Sequence, residues 1–207
     1  MVECSIRCQA VRVIDFGLLP LCRLPPVSDF CSWLTADRLA PALEPMCHDW
    51  LHEPGSLTRR LTALACGVFN VEPLREGWQP LRPDECTALA LPRGSTGWVR
   101  EVYLCGHGQP WVFARSVASR DALQALGLDM QHLGTRPLGH LLFSDKAFAR
   151  TPFEVCHYPA AWLPEAIRQP QLWGRRSCFL RGTAGVLVAE IFLPALWNAA
   201  QSAHTPL

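Results

Sequence analysis

A single carboxylate, Glu190, stands inside the otherwise apolar run VLVAEIFL (residues 186–193). That run reads as a strand buried on both faces, and an ionised Glu in such a setting requires a partner. It is either a functional carboxyl group or half of a structural ion pair. Arg100 poses the same question in GWVREVYL (97–104). Period-two alternation puts Arg100 on one face with Trp98, Val102 and Leu104, and Val99, Glu101 and Tyr103 on the other, so one of these charges must point at apolar surroundings. A guanidinium there suits bidentate capture of a carboxylate, a ligand's or that of Glu190 itself. A third feature is LGTRPLG (133–139), a glycine-containing turn leading to Pro137 at the first position of a helix. The amide of Leu138 would then be a free donor at the positive helix end, a natural place for a carboxylate.

The elements that must position these groups can be read from the pattern around them. MCHDWL and SLTRRLTAL, with Trp50, Leu51, Leu57, Leu61 and Leu64 at helical spacing, predict two short helices, the second capped by Ser56 after Gly55. Residues 67–79 contain Pro73 and predict a bent or edge strand. Residues 97–105 and 110–118, joined through Gly106-His107-Gly108-Gln109, form one predicted hairpin; residues 177–181 and 186–193, joined through Gly182-Thr183-Ala184-Gly185, form a second. Short connections pair strands antiparallel. Helices are expected over 120–128, 137–148 and 160–169, the last despite Pro164. An antiparallel sheet with helices gathered on it is an α+β fold, and the length and hydrophobic content suit one domain. Residues 1–36 show weak periodicity of either kind and a Pro25-Pro26 step, and read as an N-terminal extension to a domain over 37–207.

Composition excludes several classes of function. A net charge of +1 and the lack of any Lys/Arg-rich run leave no electrostatic footprint for nucleic acid. Asp15 and Arg12 interrupt one apolar stretch and Glu190 another, short of the ~20 residues that span a bilayer. No signal-peptide pattern opens the chain, so a cytoplasmic address is expected; a monomer is expected as well. The ten cysteines are scattered without a C-x-x-C pair or Cys/His knuckle, which argues against structural zinc and for small reduced core residues. His107, His132, His140 and His204 do not pair at metal-ligand spacing, and no metal is expected. No phosphate loop, Gly-x-Ser-x-Gly or nucleotide fingerprint occurs.

The segments SLTRRL (56–61), REG (75–77), VREVYLCGHGQPWVFARSV (99–117), LGTRPLGHLLF (133–143), LWGRRS (172–177) and AEIFLPA (189–195), in this order, resemble bacterial chorismate pyruvate-lyase. The likeness runs over about residues 40–195. It implies a six-stranded antiparallel sheet, a buried pocket under helical flaps, and conversion of chorismate to 4-hydroxybenzoate and pyruvate, the entry step of ubiquinone synthesis, without a cofactor. The family's carboxylate-binding arginine matches Arg100, its backbone-amide donor matches Leu138, and its glutamate near the ligand hydroxyl matches Glu190. The family position in a Ser-Met-Thr segment falls on Leu57, where this chain has Leu for Met. The resemblance thus assigns Arg100 and Glu190 to catalysis, and both with Leu57 and Leu138 to substrate binding. Arg175 or Arg176 is offered for the enolpyruvyl carboxylate. The N-terminal extension and the stretch HYPAAWLPEAIRQPQ (157–171) depart from the family pattern. The alternative is a non-catalytic, effector-sensing domain of the UTRA type, but the roughly 40 residues ahead of the domain are too few for a winged helix.

Overall fold

The computed structural model describes residues 31–35, 38–39, 43–144 and 148–204. Its elements run β1 (Leu34–Thr35), α1 (Pro45–Leu51), α2 (Leu57–Leu64), β2 (Phe69–Pro80), α3 (Pro83–Ala88), β3 (Thr96–Gly106), β4 (Gln109–Ser119), α4 (Arg120–Leu126), α5 (Leu138–Ser144), β5 (Ala149–Arg150), β6 (Glu154–Tyr158), β7 (Leu172–Arg181), β8 (Ala184–Phe192) and α6 (Pro194–His204). All the pairings are antiparallel, in the order β1-β6-β7-β8-β4-β3-β2, with β5 beside β7. The sheet therefore has eight strands where six were expected. The difference is β1 and β5, two residues each and too short to show a period of two. The expected edge strand is β2, which ends the sheet and carries a register shift between Pro73 and Arg75. An edge tolerates the missing N–H of proline.

Both hairpins form. His107 and Gly108 adopt positive φ of 51° and 73°, the two-residue turn whose twist matches the strands, and Gly182 does so at 62° in the second hairpin. Ser56 caps α2, its Oγ accepting from the Arg59 N–H at 3.4 Å. Ser119 caps α4 and Gly127 ends it in the left-handed conformation, two residues before the expected limit. The helix expected over 160–169 is replaced by two 3₁₀ turns, Ala160–Trp162 and Glu165–Ile167. Pro164 between them cannot donate to a continuous helical ladder. Of the helix expected over 137–148, α5 is formed, and residues 145–147 lie outside the described residues. So do residues 1–30 of the extension, whereas Leu34–Thr35 pairs with β6 and Trp33 donates its indole N–H to Asp84 at 2.9 Å.

Helices α1, α2 and α6 bury Trp50, Leu61 and Leu196 against Val102, Leu104, Val112 and Phe192 on one face of the sheet. On that same face, α4 and α5 bury Leu123, Leu126, Leu138 and Leu142 against Phe179 and Val186. The opposite face packs Tyr103, Phe113, Tyr158 and Ile191 against Leu163, and Val99, Val117 and Leu187 against Cys86 of α3. Strands β3, β4, β7 and β8 thus divide their side chains between two covered faces, whereas the edge strand β2 is largely exposed. Among the described residues no helix is long and apolar enough to cross a membrane.

Candidate active site

Between the two helix groups on the first face, the sheet is left partly uncovered. The central strand β4 presents only Ala114 and Ser116 there, and such small side chains cannot fill the space beneath α2 and α5. A cavity results, and a concave, mostly apolar hollow of this kind is the usual form of a small-molecule site. Val102, Leu104, Val188 and Leu142 supply apolar wall, and the first turns of α2 and α5 close it from above. The two turns lie close together at Gly139, where a Cβ would be in ordinary contact with Thr58 Oγ1 at 3.5 Å and Ser56 Oγ at 3.6 Å. An outer hollow lined by Arg59, Thr62 and His140 adjoins the cavity, and Phe143, 40% exposed, borders both.

Leu57, Arg100, Leu138 and Glu190 all line this one cavity. Arg100, 2% exposed, donates from Nε to Glu76 at 2.6 Å and from Nη2 to the carbonyls of Gly134 at 2.7 Å and Arg136 at 3.3 Å. Glu76 is its cross-strand neighbour on β2. Arg100 therefore ties the turn before α5 to the sheet and sets the height of the Leu138 amide above it. That amide belongs to the first residue of α5, where helix geometry offers no acceptor. Leu57 holds the corresponding place at the start of α2.

Glu190 sits at the other side of the cavity floor, on β8, separated from β3 by β4. Two strand spacings, about 10 Å, lie between the backbones carrying Arg100 and Glu190. The two do not pair with each other. Glu190, 12% exposed, accepts at 2.7 Å from Nε of Arg175, its direct cross-strand partner on β7. Arg175 is fully buried, and its Nη1 also donates to the carbonyls of Trp50, Leu51 and Glu53 at 3.0, 3.4 and 3.1 Å. Glu190 is thus half of a buried ion pair and also faces the cavity.

Neither arginine offered for the enolpyruvyl carboxylate reaches the cavity. Arg175 lies behind Glu190, and Arg176, one residue on, necessarily points to the opposite face. There it meets Glu154 at 2.8 Å and Asp84 at 3.1 Å and lies over the Trp33 ring. The cation that does line the cavity besides Arg100 is Arg150, which sequence reasoning missed. It sits in the two-residue β5, with no periodicity around it to mark its direction. The adjoining TPFEV offers at most an aromatic: Phe153 packs under the guanidinium at 4.1 Å.

The remaining candidates stay outside. His107, His132 and His140 are exposed, and among the described residues no cluster of three His, Cys, Asp or Glu side chains could hold a metal. Cys86, Cys105, Cys156 and Cys178 are buried free thiols, and burial pushes Cys105 and Cys178 up to about 11, which suits packing and not nucleophilic attack.

The family model described as chorismate lyase matches residues 28–202. The chain belongs to the chorismate lyase family. A protein of Pseudomonas aeruginosa (strain UCBPP-PA14) named "Probable chorismate pyruvate-lyase" is 65% identical over 168 residues, covering 81% of this chain and 94% of that protein. One of Pseudomonas putida with the same name is 59% identical over 176 residues, covering 85% and 95%. Among solved structures, the effector domain of PhnF from Mycobacterium smegmatis aligns at 14% identity over 68% of this chain and 90% of that one, with a TM-score of 0.47. That score is too low to carry an argument about function.

Proposed function

We propose that this protein eliminates pyruvate from chorismate to give 4-hydroxybenzoate, the entry step of ubiquinone synthesis. The observation that carries the reading is the largely apolar cavity with Arg100 and the Leu138 amide on one side and Glu190 across the floor from them. Arg100 and the amides of Leu138 and Leu57 receive the ring carboxylate. Arg100 has Nη1 free of hydrogen bonds to the described residues, and its other nitrogens are already fixed, so the donor is preorganised. Glu190 meets the 4-hydroxyl at the para position, with Arg175 holding the carboxylate from behind.

In the reaction the C4 proton leaves, its bonding pair forms the C3–C4 double bond, and the C3–oxygen bond breaks with its pair going to enolpyruvate. Enolpyruvate takes up a proton to become pyruvate. Aromatisation supplies the driving force, so the protein has chiefly to orient the ring and to hold charge in a site with little water. A flat product held by the same groups makes release the slow step. The test is direct: purified protein with chorismate should form 4-hydroxybenzoate and pyruvate in equal amounts, catalytically. Chorismate persisting beside stoichiometric protein would overturn the proposal.

A further inference from the structure

Chorismate carries two carboxylates, and the cavity is lined by two guanidinium groups. Glu190 does not cancel the second of these, because Arg175 already stands against it outside the cavity at 2.7 Å. Arg100 has Glu76. Arg150 forms no ion pair among the described residues: its Nε donates to Ser177 Oγ at 2.8 Å, and its Nη1 to the carbonyls of Pro54 and Gly55 at 3.2 and 3.4 Å. The Phe153 and Phe179 rings lie 4.1 and 4.8 Å from its guanidinium carbon, flanking the charge without neutralising it. A carboxylate added to this place would meet a cation whose direction is set and whose Nη2 makes no hydrogen bond to the described residues.

The position matches the shape of the substrate. Ser177 is the cross-strand neighbour of Val188, which stands beside Glu190 on the cavity face of β8. Arg150, anchored on Ser177, therefore lies toward the Glu190 side of the cavity, across β8 from Arg100. With the ring carboxylate on Arg100 and the 4-hydroxyl on Glu190, the C3 substituent is next to C4 and falls at this same side. We infer that Arg150 receives the carboxylate of the enolpyruvyl group, and so distinguishes substrate from product. Burial pulls the Arg150 guanidinium down to about 10, with Glu190 opposing this and Arg175 adding to it, consistent with a cation short of negative charge. The inference rests on the chorismate reading above.

Two measurements separate its failure from the failure of that reading. In the first, Arg150→Gln is compared with the unmodified protein. The expected result is a fall in kcat/KM for chorismate of about 10- to 100-fold, the range for a lost charge-assisted hydrogen bond, with the Kd for 4-hydroxybenzoate, which lacks the enolpyruvyl group, within about threefold of the parent. Arg150→Lys should recover part of the loss. A parallel loss of both would make Arg150 a brace for the 54–55 loop, and no change in either would also overturn the inference. The second measurement uses the unmodified protein, whether or not the Gln variant folds. 3-(Carboxymethoxy)-4-hydroxybenzoate should bind at least about tenfold more tightly than its neutral carboxamide. Equal affinities would overturn the inference even if chorismate is turned over.

Discussion

Replacing Glu190 with Gln keeps volume and a hydrogen-bonding group while removing one charge from the cavity floor. Two consequences follow from its place between Arg175 and the cavity. Arg175 is 0% exposed and loses the only carboxylate it is paired with among the described residues. Removing one partner of a buried pair costs about 3–5 kcal/mol where the other charge is left uncompensated. Here the amide oxygen still accepts from Nε, and the carbonyls of Trp50, Leu51 and Glu53 remain on Nη1. The loss should therefore be nearer 1–3 kcal/mol, which lowers Tm by about 3–10 °C for a domain of this size. Turnover of chorismate should fall by at least about 10²-fold, as expected for a lost acid–base or electrostatic group, and 4-hydroxybenzoate binding should fall much less. Scanning calorimetry and a coupled pyruvate assay read the two effects separately. Turnover within about threefold of the parent, together with the Tm loss, would reduce Glu190 to a structural partner of Arg175. An unchanged Tm would refute the argument that Arg175 depends on it.

Arg100→Gln should weaken 4-hydroxybenzoate binding by about 10²-fold by titration calorimetry; unchanged affinity would remove the ring carboxylate from Arg100. A chain starting at residue 37 should keep full turnover but melt at lower temperature, because β1 ends the sheet beyond β6 and the Trp33–Asp84 hydrogen bond lies on the face opposite the cavity; lost activity in folded protein would contradict that separation. The buried thiols Cys105 and Cys178 are pushed up from 9.0 to about 11, by burial foremost. The folded state then holds protons that the unfolded chain releases, so their stabilisation is complete below pH 9 and is lost as pH rises toward 11. Tm should fall from pH 8 to 10.5, with a shallower fall in Cys105→Ala; an identical slope in that variant would remove Cys105 as a cause.

Much of this site was legible because its key residues break a local pattern. Glu190 in VLVAEIFL and Arg100 in GWVREVYL are charges where the period of a strand demands apolar side chains, and a strand's period needs only a few neighbours to establish. The turn before Leu138 declared itself through Gly134 and Pro137, whose backbone limits are local properties. The helix expected over 160–169 failed for a local reason too, since the chemistry of Pro164 outweighed the apolar spacing around it.

What the sequence determined by itself was which residues break the pattern, and on which face of its own strand each must lie. Which distant groups meet them was decided by the tertiary structure. Arg175 and Arg176 are chemically equal in the sequence, and only the pairing register of β7 with β8 puts the first against Glu190 and the second on the far side of the sheet. Arg100 and Glu190, each able to satisfy the other, are held apart by β4 and satisfied by Glu76 and Arg175 instead. Arg150 entered the cavity from a strand of two residues, held by Ser177 and by carbonyls nearly a hundred positions away in the chain. Periodicity reports the direction of a side chain relative to its own backbone; a partner is fixed by strand order and register, which depend on the packing of the whole chain.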